Sequence, residues 1–145
     1  MITVGQLIKK KGHDVWSVSP EKTVLEALQY MADKNIGALM VVDSGKMVGI
    51  FSERDYARCV ALKGLTAEST QVRDVMTEHV VYIRPEQSVD ECMALMTEKH
   101  IRHLPVMTGD RLTWIISIGD VVKEVISEQE FTINNLENYI TGGKR

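Results

Sequence analysis

The sequence predicts an α/β (α+β) protein in which one β-α-β-β-α unit occurs twice, the copies packed about a pseudo-twofold axis. Three observations predict this. First, Pro20-Glu21 recurs as Pro85-Glu86, an offset of 65 (85 − 20). The same offset pairs Val24 with Val89, Met31 with Met96, Ile36 with Ile101, Val41 with Val106, Ser52 with Ser117 and Asp55 with Asp120, with no gap from Val15 to Val60. Chance is a poor explanation for so many ungapped matches. Second, each copy alternates short β-branched runs with a segment of helical period. Third, a unit of about 60 residues buries too little surface to be secure alone, so two related units would share a core.

The elements follow in the same order in both copies. "VGQLI" (Val4 to Ile8) resembles "VRDVM" (Val72 to Met76) at an offset of 68 (72 − 4), so the connection is shorter in the second copy. "VWSV" (Val15 to Val18) and "VVYI" (Val80 to Ile83) read as short strands, with Pro20 and Pro85 in the turns that follow. Thr23-x-x-Glu26 and Ser88-x-x-Glu91 are capping boxes that start helices. Val24, Leu28 and Met31, and likewise Val89, Met93 and Met96, share one helical face. "ALMVVD" and "HLPVM" are the next strands. "DSGK" and "TGDR" turn them into hairpins with "MVGIF" and "LTWII". A helix runs from about Glu53 to Lys63, stopped by Gly64, and its counterpart starts near Ile118. Residues 1–66 are then the first copy with its lead-in, 67–127 the second, and 128–145 a helical tail. That tail carries apolar Phe131, Ile133, Leu136, Tyr139 and Ile140, suits a dimer surface, and ends at Gly142-Gly143.

Composition narrows the function classes. Apolar residues make up 44% and charged residues 26% of 145, the mix of an ordinary soluble globular protein. A formal charge of −3 gives no reason to expect nucleic acid or an acidic membrane as partner. No apolar run approaches a membrane span, and the N-terminus has its charges after its apolar residues, the reverse of a secretory signal. Two cysteines, Cys59 and Cys92, suggest neither a disulfide framework nor a metal motif, so a cytoplasmic protein with reduced core thiols is expected. His79, His100 and His103 lie at spacings that do not converge on a metal.

Ser52-Glu53-Arg54-Asp55 and Ser117-Ile118-Gly119-Asp120 sit where an apolar strand hands over to a helix. Ser at the N-cap with Asp at the third helical position is a sufficient cap by itself. The carboxyl ends of strands are also where ligands of open sheets bind, and helix N-termini offer N–H groups to anions. The Asp argues against phosphate lying directly on it. A carboxylate instead accepts two hydrogen bonds from a vicinal diol, as in dinucleotide sites. A nucleoside phosphate satisfies both features, with Asp on the sugar and Ser and backbone N–H groups toward the phosphate.

"VGIFSERD" and "IISIGD", each ending a β-α-β-β-α repeat, resemble the signature of the CBS domain, and the pair resembles one Bateman module of the stand-alone tandem type. The resemblance spans about Val4 to Val125. It implies regulatory binding of adenosine compounds (AMP, ADP, ATP or NAD, sometimes S-adenosylmethionine) in clefts between the copies, frequent homodimers and no catalysis. Carried over residue by residue, it implies one site from Lys11, Trp16, Ile36, Gly37 and Ala38 with Arg102, His103, Ser117, Gly119 and Asp120. It implies a second from Thr77, Val81, Ile101 and Arg102 with Gly37, Ala38, Ser52, Arg54 and Asp55. The Asp55 site gains Arg54, and Arg58 one turn on. Gly119 brings no charge, so the Asp120 site draws its cations from Arg102 and His103. A charge-assisted phosphate contact is worth about 1.5–3 kcal/mol, so the two sites are expected to differ in affinity or ligand. Trp114 stands where the family usually has Gly, as at Gly49. The indole either narrows the Asp120 site or packs against a dimer partner.

The expected function is therefore an adenine-nucleotide sensor acting in signalling, with an unidentified protein or its own oligomer as output. The alternative is a dimeric interaction scaffold whose clefts bind no nucleotide. An enzyme is disfavoured because no nucleophile–base pair or metal set accompanies the motifs.

Overall fold

The protein is described by a computed structural model covering residues 2–11 and 15–140. The side chain of Lys11 and the pair Gly142-Gly143 lie outside the described residues. In order, the elements are α1 (Val4–Lys11), β1 (Ser17–Val18), α2 (Val24–Lys34), β2 (Ala38–Asp43), β3 (Lys46–Ser52), α3 (Glu53–Tyr56), α4 (Val72–Val75), α5 (Val89–Lys99), β4 (His103–Thr108), β5 (Arg111–Ser117) and α6 (Ile118–Ile140). β1 runs parallel to β2, with Ser17 opposite Met40, and β2 pairs antiparallel with β3 from Ala38–Ser52 to Asp43–Lys46. β4 and β5 form a separate two-stranded sheet. The Ser44-Gly45 turn joins β2 to β3 with both residues at positive φ (52° and 81°), the twist a two-residue hairpin needs.

α2 starts as the sequence expects. Thr23 accepts from the Glu26 N–H, and the Glu26 carboxylate accepts from the Thr23 N–H, both at 3.1 Å. It ends at Asn35 in the left-handed region. The matching box at α5 is half formed. Ser88 Oγ accepts from the Glu91 N–H at 3.1 Å, but the Glu91 carboxylate accepts from Gln87 Nε2 at 3.0 Å instead.

Two other expectations are corrected. Val80–Ile83 is not an extended strand: only Ile83 makes an isolated bridge, and the Val80 N–H turns back to the Glu78 carbonyl at 3.0 Å. Ile83 is nonetheless fully buried. The helix expected over Glu53 to Lys63 is two pieces. α3 gives way to a π-helical turn at Ala57–Ala61, in which the Leu62 N–H reaches the Ala57 carbonyl at 3.0 Å. Gly64 stops it at φ 72°.

The lead helices are exchanged between the copies. The N–H groups of Val4 and Gly5 donate to the carbonyls of Gln87 and Pro85, both at 2.8 Å, and the Val89 N–H donates to the Ile2 carbonyl at 3.0 Å. The same three bonds recur with the roles reversed. Val72 and Arg73 donate to Lys22 and Pro20 (2.9 and 3.0 Å), and Val24 donates to Thr70 (2.8 Å). Each copy's lead helix thus docks on the turn that starts the other copy's first long helix. The N–H groups at both helix starts are satisfied by this exchange.

Two compact units result, each drawing on both copies. One contains the described parts of 14–82 and 105–114, the other those of 1–13, 83–104 and 115–145. In the first, Val24, Ala27, Met31, Leu39, Val41, Phe51, Val60 and Val72 make one buried cluster, flanked by half-buried Trp16, Leu28 and Tyr30. In the second, Val4, Leu7, Val89, Cys92, Met96, Ile116 and Val121 are fully or almost fully buried. Trp114 is 7% exposed in the single chain, so the indole is covered without a dimer partner. Gly49, its counterpart, has a different constraint. The Met76-Thr77 segment lies across β3, bonded both ways between Ile50 and Thr77. A Cβ on Gly49 would meet Met76 Sδ at 2.7 Å and the Thr77 carbonyl oxygen at 2.8 Å.

Candidate functional site

The corner between β3 and α3 is built from six residues of one unit. Ser52 ends β3 opposite Ala38 on β2. Its N–H and its Oγ both donate to Asp55 Oδ2, at 2.9 and 3.0 Å. The Asp55 N–H donates back to Ser52 Oγ at 3.2 Å. The Glu53 N–H donates to the Gly37 carbonyl at 3.1 Å, which ties the helix start to the residue before β2. Thr77 Oγ1 donates to the other carboxylate oxygen, Asp55 Oδ1, at 3.4 Å. Gly37, Ala38, Ser52, Asp55 and Thr77, all expected in one site, are therefore brought together.

The corner between β5 and α6 repeats this geometry. The Ser117 N–H and Oγ both donate to Asp120 Oδ2 at 2.9 Å, and the Asp120 N–H donates to Ser117 Oγ at 3.2 Å. The Ile118 N–H donates to the Arg102 carbonyl at 2.8 Å, the counterpart of the Glu53–Gly37 bond. The backbone of Arg102 thus meets Ser117 and Asp120 in the other unit, with Gly119 on the first turn of α6 and His103 following Arg102 at the start of β4. Beneath them, burial and the Asp120 charge push the Cys92 thiol up to about 12. Gly119 is not forced by crowding: a Cβ there would come no nearer than 3.5 Å to Ser117 Oγ, an ordinary contact. At both corners the motif is a complete helix cap, and one carboxylate oxygen stays outside it.

The remaining expected residues are placed less tightly. Ile36 and Gly37 line an open hollow of about 280 Å³ with Leu28, Met31, Ala32, Asn35 and Glu53. That hollow does not include Ser52, Arg54 or Asp55. Val81 and Ile101 are half-buried on irregular backbone. Trp16 is engaged within its own unit. Its ring meets Tyr30 edge-on, with centroids 6.1 Å apart, and Lys34 Nζ sits 4.2 Å above it. This cation–π contact occupies one face of the indole.

Two features escaped the sequence. Lys34 over Trp16 joins residues from different elements, and only the Tyr30–Lys34 spacing of one turn hinted at it. Glu124, almost fully buried on α6, is paired with half-exposed Lys10 on α1 at 3.2 Å. The two are 114 residues apart, and no local pattern could have joined them.

The family profile for the CBS domain matches residues 4–62 and 72–127. The chain is 37% identical to the CBS domain-containing protein CBSX3, mitochondrial, of Arabidopsis thaliana, over 97% of this chain and 73% of that one. It superposes with a TM-score of 0.84 and 49% identity on a putative signal-transduction protein with CBS domains from Burkholderia ambifaria MC40-6, covering 88% of this chain and 96% of that one. The CBS domain pair of protein MJ0100, solved in complex with 5′-methylthioadenosine and S-adenosyl-L-methionine, shares the fold. Its TM-score is 0.77 at 22% identity, over 88% of this chain and 98% of that one.

Proposed function

We propose that this chain, which belongs to the CBS domain family and carries the domain twice, is a non-catalytic sensor of adenine nucleotides (AMP, ADP, ATP or NAD). One observation carries the reading: the same strand-to-helix corner is built twice, and each carboxylate spends one oxygen on the cap and keeps the other outside it. A ribose diol needs such an acceptor. The two ligands of the MJ0100 pair are both adenosine compounds.

In this reading Asp55 and Asp120 hold the ribose. Ser52 with Arg54, and Ser117 with the Gly119 backbone, approach the phosphates, with Arg102 and His103 as the cations of the second copy. Thr77 supports Asp55. The adenine side, which the family resemblance draws from the other copy, completes the proposal with Lys11, Trp16, Ile36, Gly37, Ala38, Val81 and Ile101. Binding then alters how the copies pack, and the output passes to a second copy of the chain or to a regulated protein. The reading places the protein in the cytoplasm, consistent with two free cysteines. No described helix is long and apolar enough to cross a membrane.

The test is calorimetric titration of the purified full chain with AMP, ADP, ATP and NAD, after denaturing a sample to identify any carried-over small molecule. A ligand at 100 times its Kd adds about 2.7 kcal/mol, a rise of roughly 5–11 °C in Tm for a chain of this size. Neither heat nor thermal shift with any of them would favour the scaffold instead, and turnover of the nucleotide would make the chain an enzyme.

A further inference from the structure

Asp120 and Glu124 are one turn apart on α6, which puts them on the same side of the helix. Asp120 is half-buried at the cap, whereas Glu124 is only 5% exposed. Side chains on a helix lean toward its N-terminus, so the Glu124 carboxylate leans toward the turn that holds Asp120. Lys10, next to the last residue of α1, donates to both Glu124 oxygens, at 3.5 and 3.2 Å. All three residues belong to the same compact unit.

The first copy does without this pair. The offsets that relate the copies put Cys59 at the Glu124 position (124 − 65) and Glu78 at the Lys10 position (10 + 68). Cys59 lies in the π-helical turn, whereas α6 runs on as regular helix. The same corner is thus built twice, once without the ion pair, so neither the cap nor the strand-to-helix turn requires it.

We propose that Lys10 and Glu124 set the charge of the Asp120 corner and, through it, the choice among adenosine compounds. The inference rests on the nucleotide reading above and adds a specificity-determining pair to it. An unpaired Glu124 puts a second negative charge about 6 Å along the helix from that of Asp120. Because it is buried, salt screens it poorly. A neutral nucleoside is indifferent to such a charge, but each negative charge on a phosphate chain is repelled by it. Lys10 cancels the repulsion and lets the corner accept a phosphorylated ligand. The two copies then balance their corners by different routes, Arg54 in the helix itself at the first and Lys10 from α1 at the second.

Calorimetric titration of the full chain with adenosine, AMP and ATP in magnesium-free buffer tests this. An Asp55→Asn background weakens the first corner, so that the heat reports the second. There, Lys10→Met is expected to weaken ATP about 10-fold, AMP less, and adenosine less than about twofold. Lys10→Arg keeps the parent ratios. Lys10→Met also strands a buried carboxylate, so Lys10→Met/Glu124→Gln, which lacks both charges, is the control for folding. It is expected to restore the parent ratio of ATP to adenosine affinity. Equal losses for adenosine and ATP, or an unrestored ratio in the double variant, overturn the proposal and leave the pair a packing contact. Binding by the parent chain that vanishes in the Asp55→Asn background also overturns it, while the nucleotide reading of the first corner stands. A parent chain that binds none of the three overturns both.

Discussion

Asp120→Asn separates the helix cap from the proposed ribose contact. The amide oxygen still accepts from the Ser117 N–H, so the cap survives, but the charge that the proposed ribose contact requires is gone. The expected result is a 10- to 100-fold weaker nucleotide titration with little change in the urea midpoint, since bonds to a charged group contribute about 1.5–3 kcal/mol. Asp55→Ala removes the cap as well, so about 0.5–2 kcal/mol of stability should go with the affinity. Gly49→Ala belongs to the same scale. Its Cβ would press on backbone at the Thr77 carbonyl, not only on a flexible methionine, and about 1–3 kcal/mol of destabilisation is expected in denaturant. The thiols should also part. Cys92, with its pKa pushed up to about 12, stays protonated and unreactive to an aromatic disulfide reagent at pH 8, whereas half-buried Cys59 reacts first. Because the folded state holds the Cys92 proton more tightly than the unfolded chain, its contribution to stability is full below about pH 9. It is lost as the pH climbs toward 12.

At the scale of elements, the β2–β3 hairpin offers a stabilising change. Ser44 adopts a left-handed conformation that suits asparagine better, so Ser44→Asn is expected to raise stability by about 0.4–1 kcal/mol in a thermal melt. Much of this scale was legible in the sequence because the rules that set it are local. Thr23 and Glu26 start α2, Gly64 stops the helical segment after β3, and Ser44-Gly45 turns a hairpin. The failures have local causes of another kind. Val80–Ile83 had strand composition, but its first N–H is spent in a turn. The half-formed box at Ser88 arose because Gln87, one residue before the cap, competes for Glu91. The π-helical turn at Ala57–Ala61 has no sequence signature that we can identify.

Over the whole molecule, the duplication was readable because a 65-residue offset preserves both the pattern and the chemistry of two corners. The exchange of lead helices was only half visible. The 68-residue offset revealed that Val4 and Val72 correspond, but not that each docks on the other copy's turn, since that pairing is set by backbone bonds rather than side-chain type. Lys10–Glu124 was invisible because its partners lie far apart along the chain, and Lys34–Trp16, which joins different elements, was only hinted at. Lys10→Met should therefore test a contact between the first and last helices. It strands a buried carboxylate, and a loss of about 1–3 kcal/mol is expected in urea unfolding, a range lowered because the lysine is half-exposed. The self-sufficient cap at each corner bears on how relatives of this chain are interpreted. A copy that stopped recognising its metabolite would still require the serine and aspartate to begin its helix, so inheritance would preserve them. Finding that pair in a genome therefore attests to an intact helical start, and occupancy has to be demonstrated separately for every copy.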